Sequence, residues 1–163
     1  MNILARLVEH NNWANLLIID ACESLNEEQL NFQPKSAVRG TIRETLRHFV
    51  LSQEDYVSML DTATHPPERD HNLTLPELRK IAITSGQDLL SLVQNSSLDL
   101  LQTQVQVSDG YKVEPWVFIV QLINHATEHR EQIKSVLTAL GVEPPRIDGW
   151  AYGQQQNALF PPT

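Results

Sequence analysis

Apolar residues recur at helical spacing in four long stretches of this chain, and that periodicity limits the fold more than any other feature. Steps of three and four residues place side chains on one face of a helix, and four such faces can bury one another. The stretches cover residues 2–24 and begin again near Thr41, Thr74 and Pro115. We therefore predict an all-α four-helix bundle that forms a single domain over residues 1–163.

Capping signals mark the ends of these helices. Thr41 with Glu44, and Thr74 with Glu77, each form a T-x-x-E capping box. In such a box the side chain and the backbone satisfy each other's free hydrogen-bonding groups. Gly141, followed by two prolines, ends the last long helix.

The first long helix carries an amide on its apolar face. The seam expected to face the core consists of Leu4, Leu7, Asn11, Ala14, Ile18, Ala21 and Leu25. Asn15 lies one turn beyond Asn11, so two amides are placed near the middle of this helix. Buried amides require hydrogen-bond partners from elsewhere in the fold.

A short β-like hairpin is predicted just before the last long helix. Val105 and Val107 alternate with glutamines, which is the spacing of a strand. Asp109-Gly110 follows as a strong tight-turn signal. The same pattern would also fit an extended excursion without paired strands.

The closing segment IDGWAYG is predicted to fold back across the bundle. Trp150 and Tyr152 have a large apolar area, and exposing both rings to water would be unfavourable.

Two histidines in the last long helix are the strongest candidates for a chemical role. His125 and His129 are four residues apart and therefore lie on the same helix face. The apolar residues expected on that face are Phe118, Leu122, Ile133, Val136 and Leu140. Arg130, Glu131 and Lys134 are expected to point away, so both rings should face the interior. Unpaired ring nitrogens would cost roughly 1–3 kcal/mol each, and either a metal ion or ordinary hydrogen bonds would satisfy them.

A third ligand should come from a helix that faces this pair, because catalytic metal sites typically use three protein ligands. His48 is the best-placed candidate, since it lies mid-helix beside an apolar stripe. His65 and His71 belong to a polar loop, and His10 is interpreted as a surface or interface residue. Three histidines would suit one divalent ion of zinc, nickel, copper or iron.

Two side chains near His129 could orient a ligand through a hydrogen bond. Gln132 is one turn beyond it, and Glu128 lies on the near flank. For Glu128 an exposed boundary position is the preferred interpretation.

Composition excludes several functional classes. A net charge of -8 without a basic stripe argues against a nucleic-acid partner. Cys22 is the single cysteine, so no internal disulfide can form, and its apolar surroundings favour a buried structural role. Arg6 and Glu9 interrupt any signal-peptide core, and no apolar run reaches the roughly 18 residues needed to cross a bilayer. A cytoplasmic protein without a membrane partner is predicted.

Four segments resemble motifs of the DinB/YfiT-like family of metalloenzymes. GTIRETLRHFV resembles the family motif that supplies a first histidine ligand, and INHATEHREQI resembles the one that supplies two more. NNWAN and DGWAYG resemble family segments around Trp13 and Trp150. The resemblance implies an up-down-down-up bundle that is frequently a homodimer. It also implies a divalent metal ion held by His48, His125 and His129.

Assigned activities in this family include thiol-dependent S-transferases, which use low-molecular-weight thiols such as bacillithiol or mycothiol, and a thiol-dependent isomerase. The resemblance implies a metal-dependent transferase or hydrolase that acts on a small molecule. The residues expected to shape its pocket are Asn11, Asn15, Gln132, Trp150 and Tyr152. Glu128 and Glu131 stand where the family often has histidine and glycine, which leaves the reaction open. The alternative is a non-catalytic bundle that binds metal or mediates dimerisation.

Overall fold

Six helices and one β-hairpin make up the described part of the computed structural model, which comprises residues 2–34, 40–60, 72–95, 104–107 and 109–160. The helices are α1 (Ile3–Glu23), α2 (Glu27–Leu30), α3 (Ile42–Leu60), α4 (Leu75–Asn95), α5 (Pro115–Ala139) and α6 (Gly149–Gln155). The strands are β1 (Val105–Gln106) and β2 (Lys112–Val113). No helix among these residues is both long enough and apolar enough to span a bilayer.

Two apolar clusters, to which all four long helices contribute, show how those helices run. Cluster A contains Ile18, Leu46, Leu78 and Ile133, one residue from each long helix. Cluster B contains Val8, Val57, Leu89 and Phe118, again one from each. The chain numbers therefore rise from B to A along α1 and α5, and from A to B along α3 and α4. This is the up-down-down-up order, and the predicted all-α bundle is confirmed.

The predicted local signals are present at the helix ends and in the hairpin. Thr41 and Glu44 form a complete capping box, with Glu44 N–H donating to Thr41 Oγ1 at 3.2 Å and Thr41 N–H donating to Glu44 Oε2 at 2.8 Å. The strands pair antiparallel, with Val105 opposite Val113. The predicted hairpin is thus confirmed, and its Asp109-Gly110 turn leads directly into β2 and then α5.

The predicted seam of α1 is wrong at its first two positions. Ala5 and Val8 are buried in cluster B, whereas Leu7 is 48% exposed and Leu4 is only partly buried. Going back from Asn11, the buried face takes two steps of three residues, to Val8 and Ala5, whereas the predicted seam took a step of four and then one of three. Both steps are allowed on a helix face, so periodicity alone does not choose between them.

The closing segment folds back on α1, but only one of its two large rings is covered. Tyr152 packs against Trp13 with ring centroids 5.2 Å apart, and His10 Nε2 donates to the Ile147 carbonyl at 2.8 Å. Trp150 is 74% exposed, so the prediction that both rings would be covered is wrong. The segment forms a helix, in which residues two apart point to nearly opposite sides.

A glycine in the middle of α4 allows α1 to approach closely. Asn12 donates from Nδ2 to the carbonyl of Gly86 at 2.8 Å. A Cβ atom at Gly86 would lie 2.9 Å from Asn12 Cγ, which is closer than real contacts allow. Glycine costs about 1 kcal/mol of helix propensity relative to alanine, and this close approach accounts for its presence.

We expect Gly86→Ala to destabilise the wild-type protein despite the better helix propensity of alanine, because the new methyl group displaces the Asn12 amide and breaks its hydrogen bond. In an Asn12→Ala background the same substitution should instead stabilise the protein by about 1 kcal/mol. Urea unfolding of the four members of this double-mutant cycle measures both effects. A stabilising Gly86→Ala in the wild-type background would contradict this account of the α1–α4 contact.

Candidate metal centre

Three histidine rings from two helices converge at one point of the structure. His48 lies on α3, while His125 and His129 lie one turn apart on α5. Nε2 of His125 is 2.9 Å from Nε2 of His48 and 3.1 Å from Nε2 of His129. One nitrogen from each ring can be chosen so that all three lie within 4.8 Å of one another.

The cluster lies at the edge of the bundle rather than inside it. His48 is exposed, and His125 and His129 are partly buried. The side chains of α5 that enter the core next to these histidines include Ala126 and Ile133, which belong to the buried stripe of the helix. Both α5 rings were predicted to face the interior. They lie beside the buried stripe and are only partly buried, so the prediction overstated their burial. The rings face one another across the α3–α5 groove and remain accessible from solvent.

A hydrogen bond determines which nitrogen of His129 carries the proton. His129 Nδ1 lies 2.8 Å from Gln132 Oε1, and a carbonyl oxygen can only accept, so the proton is on Nδ1. In the neutral ring Nε2 then keeps its lone pair, and this atom faces His125. Gln132, selected from the sequence as a residue that could orient a ligand, is thus in contact with one member of the cluster.

The surroundings favour the neutral form of His125 and His48. Burial, followed by the proximity of His129 and His48, lowers the pKa of His125 to about 4. Burial, and then the neighbouring His129, also lower the pKa of His48. Neutral imidazole is the form that binds a metal ion, so these shifts keep lone pairs available at neutral pH.

A pocket of about 660 Å³ opens over the three rings. Its walls consist of Gly40, Glu44, Thr45, Arg47, His48, His125, Glu128, His129 and Gln132. Gly40 has a positive φ of 78°, and a Cβ atom there would lie 2.9 Å from Glu44 Oε2. The capping box of α3 therefore also forms one wall of the pocket. Glu128 is exposed, as the sequence interpretation favoured.

The donor atoms present fit a divalent ion. Nitrogen ligands bind zinc at about 2.0–2.1 Å, so two of them in a tetrahedral site lie about 3.3 Å apart. The two short Nε2–Nε2 distances of 2.9 and 3.1 Å are close to that spacing. Because two rings share a helix face and the third faces them across the groove, a single ion could contact all three.

The other residues selected for the pocket do not lie in it. Trp150 and Tyr152 belong to α6, on the outer side of α1, and neither lines the histidine pocket. Asn11 and Asn15 are completely buried and also do not line it. His65 and His71 lie outside the described residues.

Arg130 is the main residue that the sequence interpretation misplaced. It was predicted to point away from the core, yet it is only 3% exposed. Its Nη1 donates to Asn11 Oδ1 at 2.8 Å and to Asn15 Oδ1 at 2.5 Å. Burial lowers the pKa of Arg130 to about 10, so the side chain is still a cation at neutral pH. A sequence signal existed, because Ala126, Arg130 and Ile133 follow one another at helical spacing along the buried stripe.

Arg130 belongs to a buried polar layer in which all four long helices take part. Its members are Asn11, Asn15, Gln53, Ser85 and Arg130. Asn15 Nδ2 donates to Gln53 Oε1 at 2.9 Å, and Gln53 Nε2 donates to Ser85 Oγ at 2.8 Å. This polar layer lies between clusters A and B in the sequence of α3, α4 and α5. In α1 it overlaps the start of cluster A, because Ala14 lies between Asn11 and Asn15.

Cys22 plays no part in the candidate centre. It is fully buried in cluster A, and burial raises the pKa of its thiol to about 12. A thiol with so high a pKa is not a nucleophile at neutral pH. The structural role preferred from the sequence is consistent with this environment.

Comparison with known proteins shows the family of this chain. The model of the DinB family matches residues 1–159. The protein belongs to the DinB family. No curated protein matches the sequence significantly.

Solved structures of DinB-like proteins share the fold. A DinB-like protein of Bacillus subtilis is 14% identical to this chain, with a TM-score of 0.67 over 88% of this chain and 98% of its own. A DinB-like protein of Bacillus cereus is 17% identical, with a TM-score of 0.67 over 85% of this chain and 91% of its own. At these identities the likeness concerns the helical bundle alone.

In the presence of a chelator, we expect the free energy of unfolding to fall as the pH is lowered from about 6.5 towards 4. The pKa of His125 is about 4 in the folded state and near 6.5 when unfolded, so in this window the unfolded chain binds more protons. Urea unfolding at about pH 7 and about pH 5 measures the fall. The free energy of unfolding of His125→Asn, whose side chain cannot titrate, should fall less over the same pH range. An unchanged fall in this variant would contradict the lowered pKa.

Proposed function

We propose that this DinB family protein is a metal-dependent enzyme that acts on a small molecule. The observation that most directly supports this proposal is that one imidazole nitrogen each from His48, His125 and His129 converge on one point beneath an open pocket. Structural metal sites are normally closed by four protein ligands, whereas catalytic sites keep a position for substrate or water. Three ligands under a solvent-accessible pocket support the catalytic kind of site.

The ligand set indicates which ions suit the site. Neutral imidazoles without a thiolate or carboxylate are compatible with zinc, nickel or iron in the divalent state. The proton that His129 donates to Gln132 keeps its ring oriented and its Nε2 free for an ion. Burial keeps His125 unprotonated, so metal and proton do not compete at neutral pH.

A bound divalent ion would lower the pKa of a thiol or a water molecule in its open position and so supply a nucleophile at neutral pH. The chain offers no thiol of its own for this purpose, because Cys22 is buried away from the pocket. In the transferase version of the proposal a low-molecular-weight thiol enters the pocket as a co-substrate. In the hydrolase version water takes that place.

Charged side chains on the pocket wall are compatible with a zwitterionic thiol. Arg47 brings a guanidinium group, while Glu44 and Glu128 bring carboxylates. Small cellular thiols derived from cysteine carry carboxylate or amino groups, and each would find a group of opposite sign here. Arg43, by contrast, forms an ion pair with Glu27 at 2.7 Å outside the pocket.

Two further expectations are part of the proposal. We propose a homodimer, as the family resemblance implies, and a cytoplasmic location, as the single cysteine indicates. The alternative is a non-catalytic bundle that binds metal only for stability or association. A metal-loaded protein without activity would favour this alternative.

We expect the purified protein to bind about one divalent ion per chain. His125→Ala should lower the affinity for zinc by more than about 100-fold, beyond the usual effect of losing an outer-shell partner. The melting temperature of the metal-free protein should change little, because the ring is only partly buried. His10→Ala is the matched control, since that histidine lies on the outer side of α1 and should leave zinc affinity unchanged. A wild type that binds none of zinc, nickel or iron would overturn the proposed function.

We expect the metal-loaded protein to conjugate an added thiol to an electrophile such as chlorodinitrobenzene. The thiol sulfur would form a bond to the ring carbon, chloride would leave, and the thiol proton would go to the buffer. Cysteine, glutathione and N-acetylcysteine serve as thiols, and p-nitrophenyl acetate tests hydrolysis in the same preparation. His129→Ala should abolish turnover. Ester hydrolysis without thiol would favour the hydrolase version, and a metal-loaded protein inactive in both assays would favour the non-catalytic bundle.

A further inference from the structure

The buried polar layer connects the two helices that carry the histidine cluster. Arg130 directly follows His129 on α5, and Gln53 lies five residues after His48 on α3. Asn15 of α1 lies between them. Its Oδ1 accepts a hydrogen bond from Arg130 Nη1 at 2.5 Å, and its Nδ2 donates one to Gln53 Oε1 at 2.9 Å. A continuous path of hydrogen bonds thus runs from one ligand-bearing helix to the other through the core.

We infer that the polar layer sets the axial register of α3 against α5, and that this register brings His48 to the His125–His129 pair. Arg130 and Gln53 are then positioning residues for the metal centre. The inference rests on the proposed function, because it concerns the same three histidines. It assigns a role to buried residues that touch neither the pocket nor the ligands' ring nitrogens.

Geometry explains why the register matters. Sliding one helix past another by a single residue moves its side chains by 1.5 Å along the axis. Metal–ligand distances tolerate only about 0.2 Å, so such a slip would separate one ligand from the other two. His125 and His129 would stay together because they share a helix, and His48 alone would lose its place.

The apolar clusters cannot hold the register as tightly. Hydrophobic contacts are non-directional, and cores accept many rearrangements of similar volume. Hydrogen bonds between buried groups are directional, and a mismatch leaves polar atoms unsatisfied. Single buried polar residues fix the register of coiled coils on this basis, at a cost in stability. The polar layer lies between clusters A and B, where it can restrain all four long helices at once.

The composition of the layer indicates that it does not serve stability alone. Within the described residues, the hydrogen bonds of the Arg130 guanidinium run to amide, hydroxyl and backbone oxygens of Asn11, Asn15 and Thr127. Its Nε atom is buried without a hydrogen-bond partner among those residues. Replacing a whole buried polar group and its partners with apolar residues is often neutral or stabilising, whereas removing one member leaves the others unsatisfied. The expected signature is therefore a site that weakens by more than the loss of stability explains.

The test compares Gln53→Met and Arg130→Met with wild type in two measurements. Zinc affinity is measured by competition with a chromophoric chelator, and the visible absorption of Co²⁺ reports the coordination geometry. The melting temperature is measured separately with a chelator. We expect each variant to lose at least about tenfold in zinc affinity and to give an altered Co²⁺ spectrum. The melting temperature of the metal-free protein should fall by no more than in a variant that truncates a core side chain of cluster B, such as Leu89→Ala, although buried partners lose a hydrogen bond.

Two further variants separate positioning from general stability. Leu89→Ala removes a fully buried side chain of cluster B and should lower the melting temperature while keeping zinc affinity within about twofold. Gln53→Glu keeps an oxygen that accepts from Asn15, and the Ser85 hydroxyl can turn from the Ile81 carbonyl to donate to the new carboxylate. This variant should therefore retain more zinc affinity than Gln53→Met.

The outcomes distinguish this inference from the proposed function. Failure of the wild type to bind any divalent ion would overturn both. Tight binding by the wild type and equally tight binding by the two methionine variants would overturn the positioning role alone. A loss of affinity in Leu89→Ala as large as in Gln53→Met would do the same, because the site would then follow overall stability. If Arg130→Met does not fold, Gln53→Met and its glutamate counterpart decide the question.

Discussion

The guanidinium group of Arg130, held in the core by the side-chain oxygens of Asn11 and Asn15, is the interaction on which the arrangement of this bundle depends. A buried cation tolerates few geometries, because its charge is costly to bury unless oxygens meet its donors, as they meet Nη1 and Nη2 of Arg130. The amide of Asn15 extends the constraint to Gln53, and from there to Ser85. Four amphipathic helices that could pack in several ways are thereby restricted to one mutual alignment. The two apolar clusters supply the driving force for folding, and the polar layer supplies its specificity.

The candidate metal centre depends on that alignment but lies outside the core. The two rings of α5 flank its buried stripe, where burial lowers the pKa of His125 while the pocket stays open to a substrate. Gln132 orients one ring, and the capping box around Thr41 and Glu44 forms a wall of the pocket. A local feature that begins a helix thus also shapes the site. The candidate metal centre thus lies at the boundary between core and solvent. There the polarity, the solvent access and the ligand geometry of the site can change without altering the packing of the core.

Much of this could be predicted from the chain alone, where the determining physics is local. Helical periodicity, capping residues and the Asp109-Gly110 turn depend on neighbours within a few residues, and the corresponding helices and hairpin are present. The two histidines of α5 share a face because of helix geometry alone. The choice of His48 needed more, namely that α3 faces α5. Its position mid-helix beside an apolar stripe favoured it, and the family resemblance implied it as well. The position of Leu7 could not be predicted, because steps of three and four residues fit a helix face equally well.

The amino-acid sequence by itself determined that this protein has four amphipathic helices, where they begin and end, and which three imidazoles were available for a metal ion. Only the tertiary structure decided that Arg130 lies in the core, that Asn11 and Asn15 bind it rather than line a pocket, and that Trp150 remains in solvent. The physical reason is that a polar side chain can be buried only when partners arrive from other helices. Those partners are distant in the sequence, and their meeting is a property of the packed bundle.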